Sequence, residues 1–344
     1  MAANLSFASL ADLLGRVFEA NRMSPKNAKI LAEVVAAAER DQAFSHGLFR
    51  VPGYIRTLRS GWVDGRAEPK ITDMAPGAIA TDAMNGFAQI ALAASRDLLQ
   101  EKAQRQGIAA LAIRNSHHFA ALWADVEPFA EAGFIALAFV NGRERMALWG
   151  APRKLIGTNP MAFACPRRGA PPMVWDQASS VTALGEVLMA AKDGHAIAEG
   201  LVIDRDGRPT TDPNAMLHGG SMLPFGGHKG SAIAVMIEIL AAGLTGGRFG
   251  FEDESAKVPG AETTNAGETI ILISPAHFST ADFADRVERL FFHLSAGGVA
   301  RLPGERRRAA RLRAEQHGIV IDEATHRYLH SLLAPLDPDH QPTS

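Results

Sequence analysis

The chain has 344 residues, 47% of them hydrophobic and 21% charged, which suits two closely packed domains or one elaborated α/β domain of a globular protein. Its 35 basic and 37 acidic residues give a net charge of -2, so charge alone indicates neither a nucleic-acid nor a membrane partner. The single cysteine, Cys165, excludes an intramolecular disulfide and favours a reducing compartment.

The first ten residues lack the pattern of a signal peptide, and no apolar run approaches the ~20 residues that a membrane-spanning helix needs. We therefore expect a cytoplasmic protein. Cys165 lies in an apolar stretch, where a thiol acts as a small buried hydrophobe rather than a nucleophile.

Helical spacing of apolar residues dominates the first part of the chain, and Ser24 with Pro25 has the form of a helix N-cap followed by a first helical residue. The elements predicted there are helices over 6–21 and 25–43, a third helix through Tyr54 and Leu58, a strand at 77–81, a helix over 88–106 and a buried strand at 108–113.

The second part alternates short strands with turns and helices, without a repeat or a linker. Its predicted elements are strands at 133–140, 173–176 and 269–273, a turn at 157–160, antiparallel or irregular structure over 190–227, a buried helix over 231–245, a helix over 281–294, two closing helices and a frayed tail after Ala334. The absence of a linker predicts that any two domains are interleaved.

No strand runs into G-x-G-x-x-G followed by a helix and an acidic residue, and no P-loop is present. A dinucleotide, if one binds, must be held without the Rossmann fingerprint.

Two adjacent histidines lie in the run Asn115-Ser116-His117-His118-Phe119-Ala120-Ala121-Leu122-Trp123, just after a predicted strand. Imidazoles at a strand end can face a ligand, although for the pair taken alone hydrogen-bonded loop histidines are the simpler explanation. The pair has no metal-ligand spacing, so no metal site is predicted.

The segment Ser45-His46-Gly47 with Arg50 combines a proton carrier with an anion-binding fork. If His46 begins a helix, Arg50 follows four residues later on the same face. The imidazole can transfer a proton near neutral pH, and the guanidinium can bind a carboxylate through two hydrogen bonds. This pattern suits reduction of a carboxylate beside C=O or C=N, but a capping serine with two solvated neighbours remains an alternative.

Other polar stretches offer candidate binding groups. If Glu186 approached His46, its carboxylate would orient the imidazole and stabilise its charged form, although a solvated surface glutamate is the default. Glycines before His228 and Lys229 allow a backbone anion site, and the arginines of 301–308 favour a 2′-phosphate unless they are a solvated helix face. The stretches are Gly157-Thr158-Asn159-Pro160, Asp176-Gln177-Ala178-Ser179-Ser180, Leu184-Gly185-Glu186, Leu223 to Gly230 and Arg301 to Arg308.

Together these motifs resemble the type 2 malate/L-lactate dehydrogenase family across nearly the whole chain. The doubled histidine followed by Phe119-Ala120-Ala121 is most similar to its Δ1-piperideine-2-carboxylate/Δ1-pyrroline-2-carboxylate reductase branch. The resemblance implies an α/β (α+β) fold, with a non-Rossmann NADP-binding domain on a largely antiparallel sheet interleaved with a helical substrate and dimerisation domain. We expect the helical domain to comprise 1–115 and 300–344, and the NADPH-binding domain 116–299.

The same resemblance implies that His46 is the proton donor, with Ser45 and Glu186 as its relay, and that Arg50 and Thr158 bind substrate. It implies a homodimer that binds NADPH (NADH possible) and a cyclic imino acid. The residues expected to line the cofactor are His118, Phe119, Ala120, Ala121, Leu122, Asp176, Gln177, Ala178, Leu184, Gly185, His228, Lys229, Leu302, Pro303, Gly304, Glu305, Arg306, Arg307 and Arg308.

Two departures from the branch concern its chemistry. Its relay acid is expected to be aspartate, one methylene shorter than Glu186, and the stretch Asn141 to Arg145 is more charged than usual. Two alternatives to imine reduction stay open: a 2-hydroxy acid dehydrogenase for malate, lactate or ureidoglycolate, and a non-catalytic sensor of a nucleotide or amino acid.

Overall fold

A seven-stranded sheet forms the framework of the protein in this computed structural model, which describes residues 3–278 and 281–334. The predicted tail after Ala334 lies outside these residues. The strands of all three sheets, in chain order, are β1 (Ala3–Leu5), β2 (Lys70–Ala75), β3 (Ala78–Phe87), β4 (Ile108–His117), β5 (Ile135–Val140), β6 (Met161–Cys165), β7 (Met173–Gln177), β8 (Val202–Ile203), β9 (Pro209–Thr210), β10 (Ser221–Met222), β11 (Asn265–Ile273) and β12 (Ile319–Ile321).

The order of strands in this sheet is β2-β3-β4-β11-β5-β6-β7. Five of the six pairings are antiparallel, and β3 with β4 is the parallel one. That parallel pair requires a crossover, which helix α4 (Ala88–Gln106) supplies. The sheet is therefore largely antiparallel and takes strands from both sides of residue 115, the boundary at which we predict the domains to divide.

Helices cover the sheet and build a second core. The remaining helices are α1 (Phe7–Ala20), α2 (Pro25–Arg40), α3 (Val51–Arg59), α5 (Trp123–Glu131), α6 (Leu184–Asp193), α7 (His228–Glu238), α8 (Phe283–Ala296), α9 (Glu305–His317) and α10 (Glu323–Ser331). Helices α4 and α5 pack on the large sheet, while α1, α2, α3 and α10 enclose a separate apolar core.

Local capping explains where the first two helices begin. The Ser6 and Ser24 side chains accept hydrogen bonds from the N–H groups of Ser9 and Asn27, and Pro25 is the first residue of α2. Beyond the predicted elements, β1 pairs with β12 across the chain ends, and β8, β9 and β10 form a small antiparallel sheet within 190–227.

The helix predicted to be buried over 231–245 differs from the expectation. Helix α7 passes into a π-helical segment, Ile239–Gly243, and Val235, Met236, Ile239 and Leu244 are between 40% and 61% exposed. The opposite side of this helix packs against β5 and β11, so one apolar face of the helix is buried and the other is open.

Candidate active site

Two short 3-10 turns hold the first group of candidate residues. His46 ends the turn Phe44–His46, Arg50 ends the turn Leu48–Arg50, and α3 begins only at Val51. His46 therefore does not begin a helix, so the condition for a shared helix face with Arg50 is not met, because Gly47 interrupts the backbone between the turns (φ -90, ψ -134). The turns still bring the side chains together: Ser45 Oγ lies 3.0 Å from His46 Nδ1, and Arg50 Nε donates to the Ser45 carbonyl oxygen at 2.8 Å.

His46 is a neutral imidazole at neutral pH in this environment. Burial, with the positive charges of Arg50 and His118 nearby, lowers the pKa of His46 to about 3. The side chain is thus suited to accept a proton or donate its remaining N–H. An anion beside Arg50 would cancel part of the positive charge and raise this pKa.

The Arg50 guanidinium lies near two aromatic rings, and one of them is Phe49, whose centroid is 5.8 Å away. The guanidinium also lies 5.3 Å from the centroid of Phe119, which in turn packs edge-on against buried Tyr54 at 5.1 Å. Gly53 lets Phe119 approach α3, because a Cβ there would lie 3.1 Å from its ring. The predicted substrate and cofactor residues Arg50 and Phe119 therefore meet.

Helix α6 borders this group at Gly185. A Cβ on Gly185 would lie 2.8 Å from Ser45 Cβ and 3.7 Å from Arg50 Nη2, so the helix start contacts the turn closely. The Glu186 side chain lies elsewhere: it is exposed and accepts a hydrogen bond from the Thr182 hydroxyl. No hydrogen bond joins Glu186 to His46 within the described residues, and its relay role stays a prediction.

The opening histidine pair separates into two environments. His117 Nε2 lies 2.9 Å from Asn85 Oδ1, whereas His118 Nε2 lies 2.7 Å from Asp125 Oδ2 on α5. Burial disfavours charge on His118, but Asp125, aided by Glu268 and Asp176, outweighs it and raises the pKa of His118. His118 is thus more readily protonated than an ordinary histidine, whereas the neighbouring His46 is less readily protonated.

The turn containing Thr158 is fixed by buried amides. Asn159 has a left-handed backbone (φ 32), and its Nδ2 donates to Glu238 Oε2 at 2.7 Å on α7. The Thr158 carbonyl accepts from the Ser179 N–H at 2.7 Å. This joins the predicted substrate residue to the chain segment that follows β7.

A second cluster of candidate residues surrounds the end of β7. The Trp123 N–H donates to Asp176 Oδ2 at 3.3 Å, and Arg307 Nη1 lies 3.7 Å from Asp176 Oδ1. Arg307 also donates to the Val174 carbonyl at 2.8 Å and stacks over Trp123 at 4.7 Å. Burial raises the pKa of Asp176, although Arg307 opposes it.

Gly304 lets the start of α9 lie against β7. Its backbone is left-handed (φ 85), and a Cβ there would lie 2.4 Å from the Val174 carbonyl oxygen. A cavity here is lined by Trp175, Asp176, Arg301, Leu302, Pro303, Gly304, Arg306 and Arg307. Glu305 closes the turn by accepting from the Leu302 N–H at 2.8 Å, and Arg308 lines the adjoining cavity with Arg167 and Arg311.

The glycine-rich segment before α7 lies beside the segment after β7. Phe225 N–H donates to the Ser179 carbonyl at 3.0 Å, and Pro224 bridges to Ser180. His228 and Lys229 then begin α7 as exposed side chains.

Comparisons with known proteins identify the family of this chain. A family model described as malate/L-lactate dehydrogenase matches residues 5–330. The chain belongs to this family. A Δ1-pyrroline-2-carboxylate/Δ1-piperideine-2-carboxylate reductase of Pseudomonas syringae pv. tomato is 52% identical over 93% of each chain. A (2R)-3-sulfolactate dehydrogenase (NADP(+)) of Chromohalobacter salexigens is 42% identical over 86% of this chain and 88% of its own.

A solved structure of a Δ1-piperideine-2-carboxylate reductase from Pseudomonas syringae pathovar tomato superposes with a TM-score of 0.94 at 51% identity, covering 96% of this chain and 99% of that one. The resemblance to the malate/L-lactate dehydrogenase family that the motifs indicated is therefore confirmed.

Two buried acids near His118 were missed by the sequence interpretation. Asp125 and Glu268 lie with His118 so that one ligand atom of each is within 4.8 Å of the others. The available signal for Glu268 is a charged residue directly before the β-branched run, but the predicted strand begins only at residue 269. Cys165 is 5% exposed, and burial raises the pKa of its thiol to about 11, as expected for a small buried hydrophobe.

Proposed function

We propose that this protein reduces cyclic imino acids with NADPH, converting Δ1-piperideine-2-carboxylate to L-pipecolate and Δ1-pyrroline-2-carboxylate to L-proline. One observation carries the proposal: the Arg50 guanidinium, the Ser45–His46 pair and Phe119 meet at one turn. A carboxylate and a C=N group one bond apart need this pairing of a cation with a proton carrier. The activity named for the 52% identical relative supports the choice of imine over ketone.

Arg50 binds the substrate carboxylate in this proposal. Its hydrogen bond to the Ser45 carbonyl and its contact with Phe119 restrict the guanidinium before substrate arrives, which lowers the entropy lost on binding. Thr158 supplies a further polar contact. Both residues orient C2 of the imine rather than changing its reactivity.

His46 holds the proton for the imine nitrogen. We assign the Nε2–H tautomer to the neutral imidazole, so that Nδ1, 3.0 Å from Ser45 Oγ, accepts from the Ser45 hydroxyl and the Nε2–H donates to substrate. Carboxylate binding at Arg50 raises the pKa of His46 and so favours proton uptake before transfer. Ser45 fixes the ring, while Glu186 stays a predicted relay residue.

The residues near β7 fit a phosphorylated nicotinamide dinucleotide. Arg307 Nη1 is buried without a hydrogen bond in the described part of the chain, and three arginines occupy the first turn of α9, where helix N–H groups attract anions. NADPH supplies the hydride when bound. Arg306, Arg307 and Arg308 would hold its phosphates, with Asp176 and the 118–122 segment bordering it.

The proposed cofactor domain is non-Rossmann and lies on the largely antiparallel sheet, and the missing glycine fingerprint supports this part of the proposal. The remaining cofactor residues that the resemblance implies are part of the same proposal. They are Gln177, Ala178, Leu184, Gly185, His228 and Lys229, whose segments adjoin β7 or Ser45.

A direct assay tests the proposal. Purified protein is given NADPH or NADH with each of Δ1-piperideine-2-carboxylate, Δ1-pyrroline-2-carboxylate, pyruvate and oxaloacetate, and cofactor oxidation is followed. We expect the highest kcat/KM with the cyclic imines and NADPH. A preference for the keto acids would contradict the proposal, and no oxidation with any substrate would favour the sensing alternative.

A 2-hydroxy acid dehydrogenase is the second candidate function. The neutral state of His46 favours it, since an imidazole with a pKa of about 3 is ready to remove a proton from a hydroxyl group during oxidation. The named activity of the sulfolactate dehydrogenase relative belongs to this class. Assays with 2-hydroxy acids and NADP⁺ decide between the two.

We also propose a homodimer in the cytoplasm. The open apolar face of α7 and its π-helical extension supports subunit association, because contiguous exposed hydrophobic side chains favour an interface. None of the helices within 3–278 and 281–334 combines the length and apolarity needed to cross a membrane. Analytical ultracentrifugation is expected to give twice the chain mass, and a monomer at micromolar concentration would refute the dimer.

A further inference from the structure

Glu268 occupies a position in the large sheet that its neighbours identify as apolar core. It lies in β11 between β4 and β5, paired with Ile113 and Val140. Alternate residues of a strand share a face, and its same-face neighbours Ile270 and Leu272 are both 0% exposed. A carboxyl group at this position is also 0% exposed, so its presence there requires a reason beyond packing.

Both Glu268 carboxyl oxygens are buried without a hydrogen-bond partner in the described residues. The His118–Asp125 pair lies near this carboxyl group. One ligand atom from each of Glu268, His118 and Asp125 lies within 4.8 Å of the other two. His118 and Asp125 are themselves joined at 2.7 Å. A side-chain movement of about 1–2 Å would bring Glu268 into hydrogen-bond distance of Asp125.

We propose that Glu268 is a positioning residue for the reduction, acting through Asp125 to fix the orientation of His118 beside His46. The proposal rests on the function proposed above. Its geometry is a chain of three side chains from β11, α5 and the end of β4, which leads from the apolar core of the sheet to the turn that carries His46.

The charge balance of the cluster agrees with a donor role for Glu268. Burial and the charge of Asp125 raise the pKa of Glu268 to about 8, although His118 opposes the shift. At pH 7 Glu268 is therefore neutral and can donate its O–H to the Asp125 carboxylate, which also accepts from His118 Nε2–H. Other titratable groups also face this cluster. The charge of Asp176 favours the protonated form of His118, and His118 in turn lowers the pKa of His46. The charge of Asp125 acts on the buried Tyr54 hydroxyl and raises its pKa.

His118 is the residue through which this cluster can affect chemistry. Its charge acts on His46, and it directly precedes Phe119, which contacts Arg50. Above pH 8 Glu268 loses its proton, the donor to Asp125 is lost, and two carboxylates face each other. We therefore expect the His118 side chain to become less firmly oriented above pH 8.

Two variants separate this role from simple core packing. E268Q keeps a neutral hydrogen-bond donor of similar size, whereas E268L keeps the volume and removes the donor. At pH 7 we expect E268Q to retain kcat/KM within about threefold and E268L to lose about tenfold, less than the roughly hundredfold that a 1 Å misplacement can cost. Thermal unfolding of E268L is expected close to the wild-type temperature, because the burial of an apolar side chain of similar volume offsets the lost hydrogen bond to Asp125.

The pH profile gives a readout that packing alone would not change. Wild-type kcat/KM for Δ1-piperideine-2-carboxylate should fall above about pH 8, and this limb should be absent from E268Q. Titration of the substrate is common to both profiles, so the difference between them belongs to the protein. Superimposable wild-type and E268Q profiles would overturn the proposal.

A ¹⁵N-histidine NMR titration tests the coupling without substrate or cofactor. We expect His118 to titrate about one pH unit lower in E268Q, because the variant has no negative charge at high pH. His117, whose pKa is about 3, is the internal control and should stay neutral in both proteins. An unchanged His118 titration would refute the coupling.

The kinetic pH profile and the NMR titration together separate failure of this proposal from failure of the function on which it rests. An altered His118 titration in a protein that reduces no imine would support the coupling and contradict the proposed activity. A divalent metal retained stoichiometrically by the wild type and lost in E268Q would assign the three side chains to a cation site and overturn the positioning role.

Discussion

Gly185→Ala tests whether the close packing of α6 on the Ser45 turn sets the geometry of the candidate active site. The added Cβ would lie 2.8 Å from Ser45 Cβ, whereas ordinary carbon contacts are about 3.5–4.0 Å. The two segments must therefore separate by about 1 Å. A displacement of that size near reacting groups can lower the rate by about 100-fold.

Steady-state kinetics with NADPH and Δ1-piperideine-2-carboxylate measures this effect. We expect kcat/KM to fall about 100-fold in G185A while the protein remains folded, since overpacking typically costs about 1–3 kcal/mol. Gly15→Ala is the matched control. Gly15 is also helical, but a Cβ added there would meet no atom within 4 Å, so G15A should keep full activity and gain about 1 kcal/mol of stability.

One result would refute the reasoning. If G185A had wild-type kcat/KM and an unchanged melting temperature, α6 would have moved without disturbing Ser45. The packing at Gly185 would then have no part in positioning His46. Reduced activity in both glycine variants would point instead to a general loss of folded protein.

Three further predictions address substrate binding, cofactor selection and pH. Arg50→Lys should raise KM for the imine and lower kcat/KM about 10- to 100-fold, because a lysine cannot reproduce the two-point carboxylate contact; Arg56→Lys, at a surface ion pair, should change neither value. Arg306→Ala should raise KM for NADPH about tenfold and leave that for NADH unchanged, with Arg313→Ala on the same helix as the control. Burial first, then the charge of Arg248, lowers the pKa of His117 to about 3, below its unfolded value of about 6.5, so the unfolded chain binds the proton more readily. The free energy of unfolding that depends on a neutral His117 is fully present above about pH 6.5 and is lost toward pH 3, at up to about 1.4 kcal/mol per pH unit. Urea unfolding of His117→Gln should therefore show a smaller loss of stability over this pH range. Equal slopes in the variant and the wild type would contradict the assignment.

Helix boundaries were the most predictable part of the fold. The predicted helix over 88–106 coincides with α4, and Ser24 with Pro25 begins α2 as expected. These signals act within one or two turns, so the sequence contains them directly. The exposure of α7 was not predictable in the same way, because an apolar helix face reads alike whether the same chain or another subunit covers it.

The sequence predicts which residues form the candidate site, but not the contacts between them. The family motifs named Arg50, His118 and Arg307, and the structure joins two of them to partners that no motif supplied: His118 to Asp125, and Arg307 to the carbonyl of Val174. The predicted approach of Glu186 to His46 depended on helix orientation, which spacing along the chain does not encode.

The sequence by itself determined the family of this protein, its helix starts and the residue types available for chemistry, since these depend on local patterns and on motif order. Only the tertiary structure decided that Glu268, far along the chain from His118, faces the same buried cluster. That arrangement follows from the antiparallel pairing of β11 with β4, where strand register fixes which side chains share a face. Register is a property of two distant segments together, and neither segment specifies it alone.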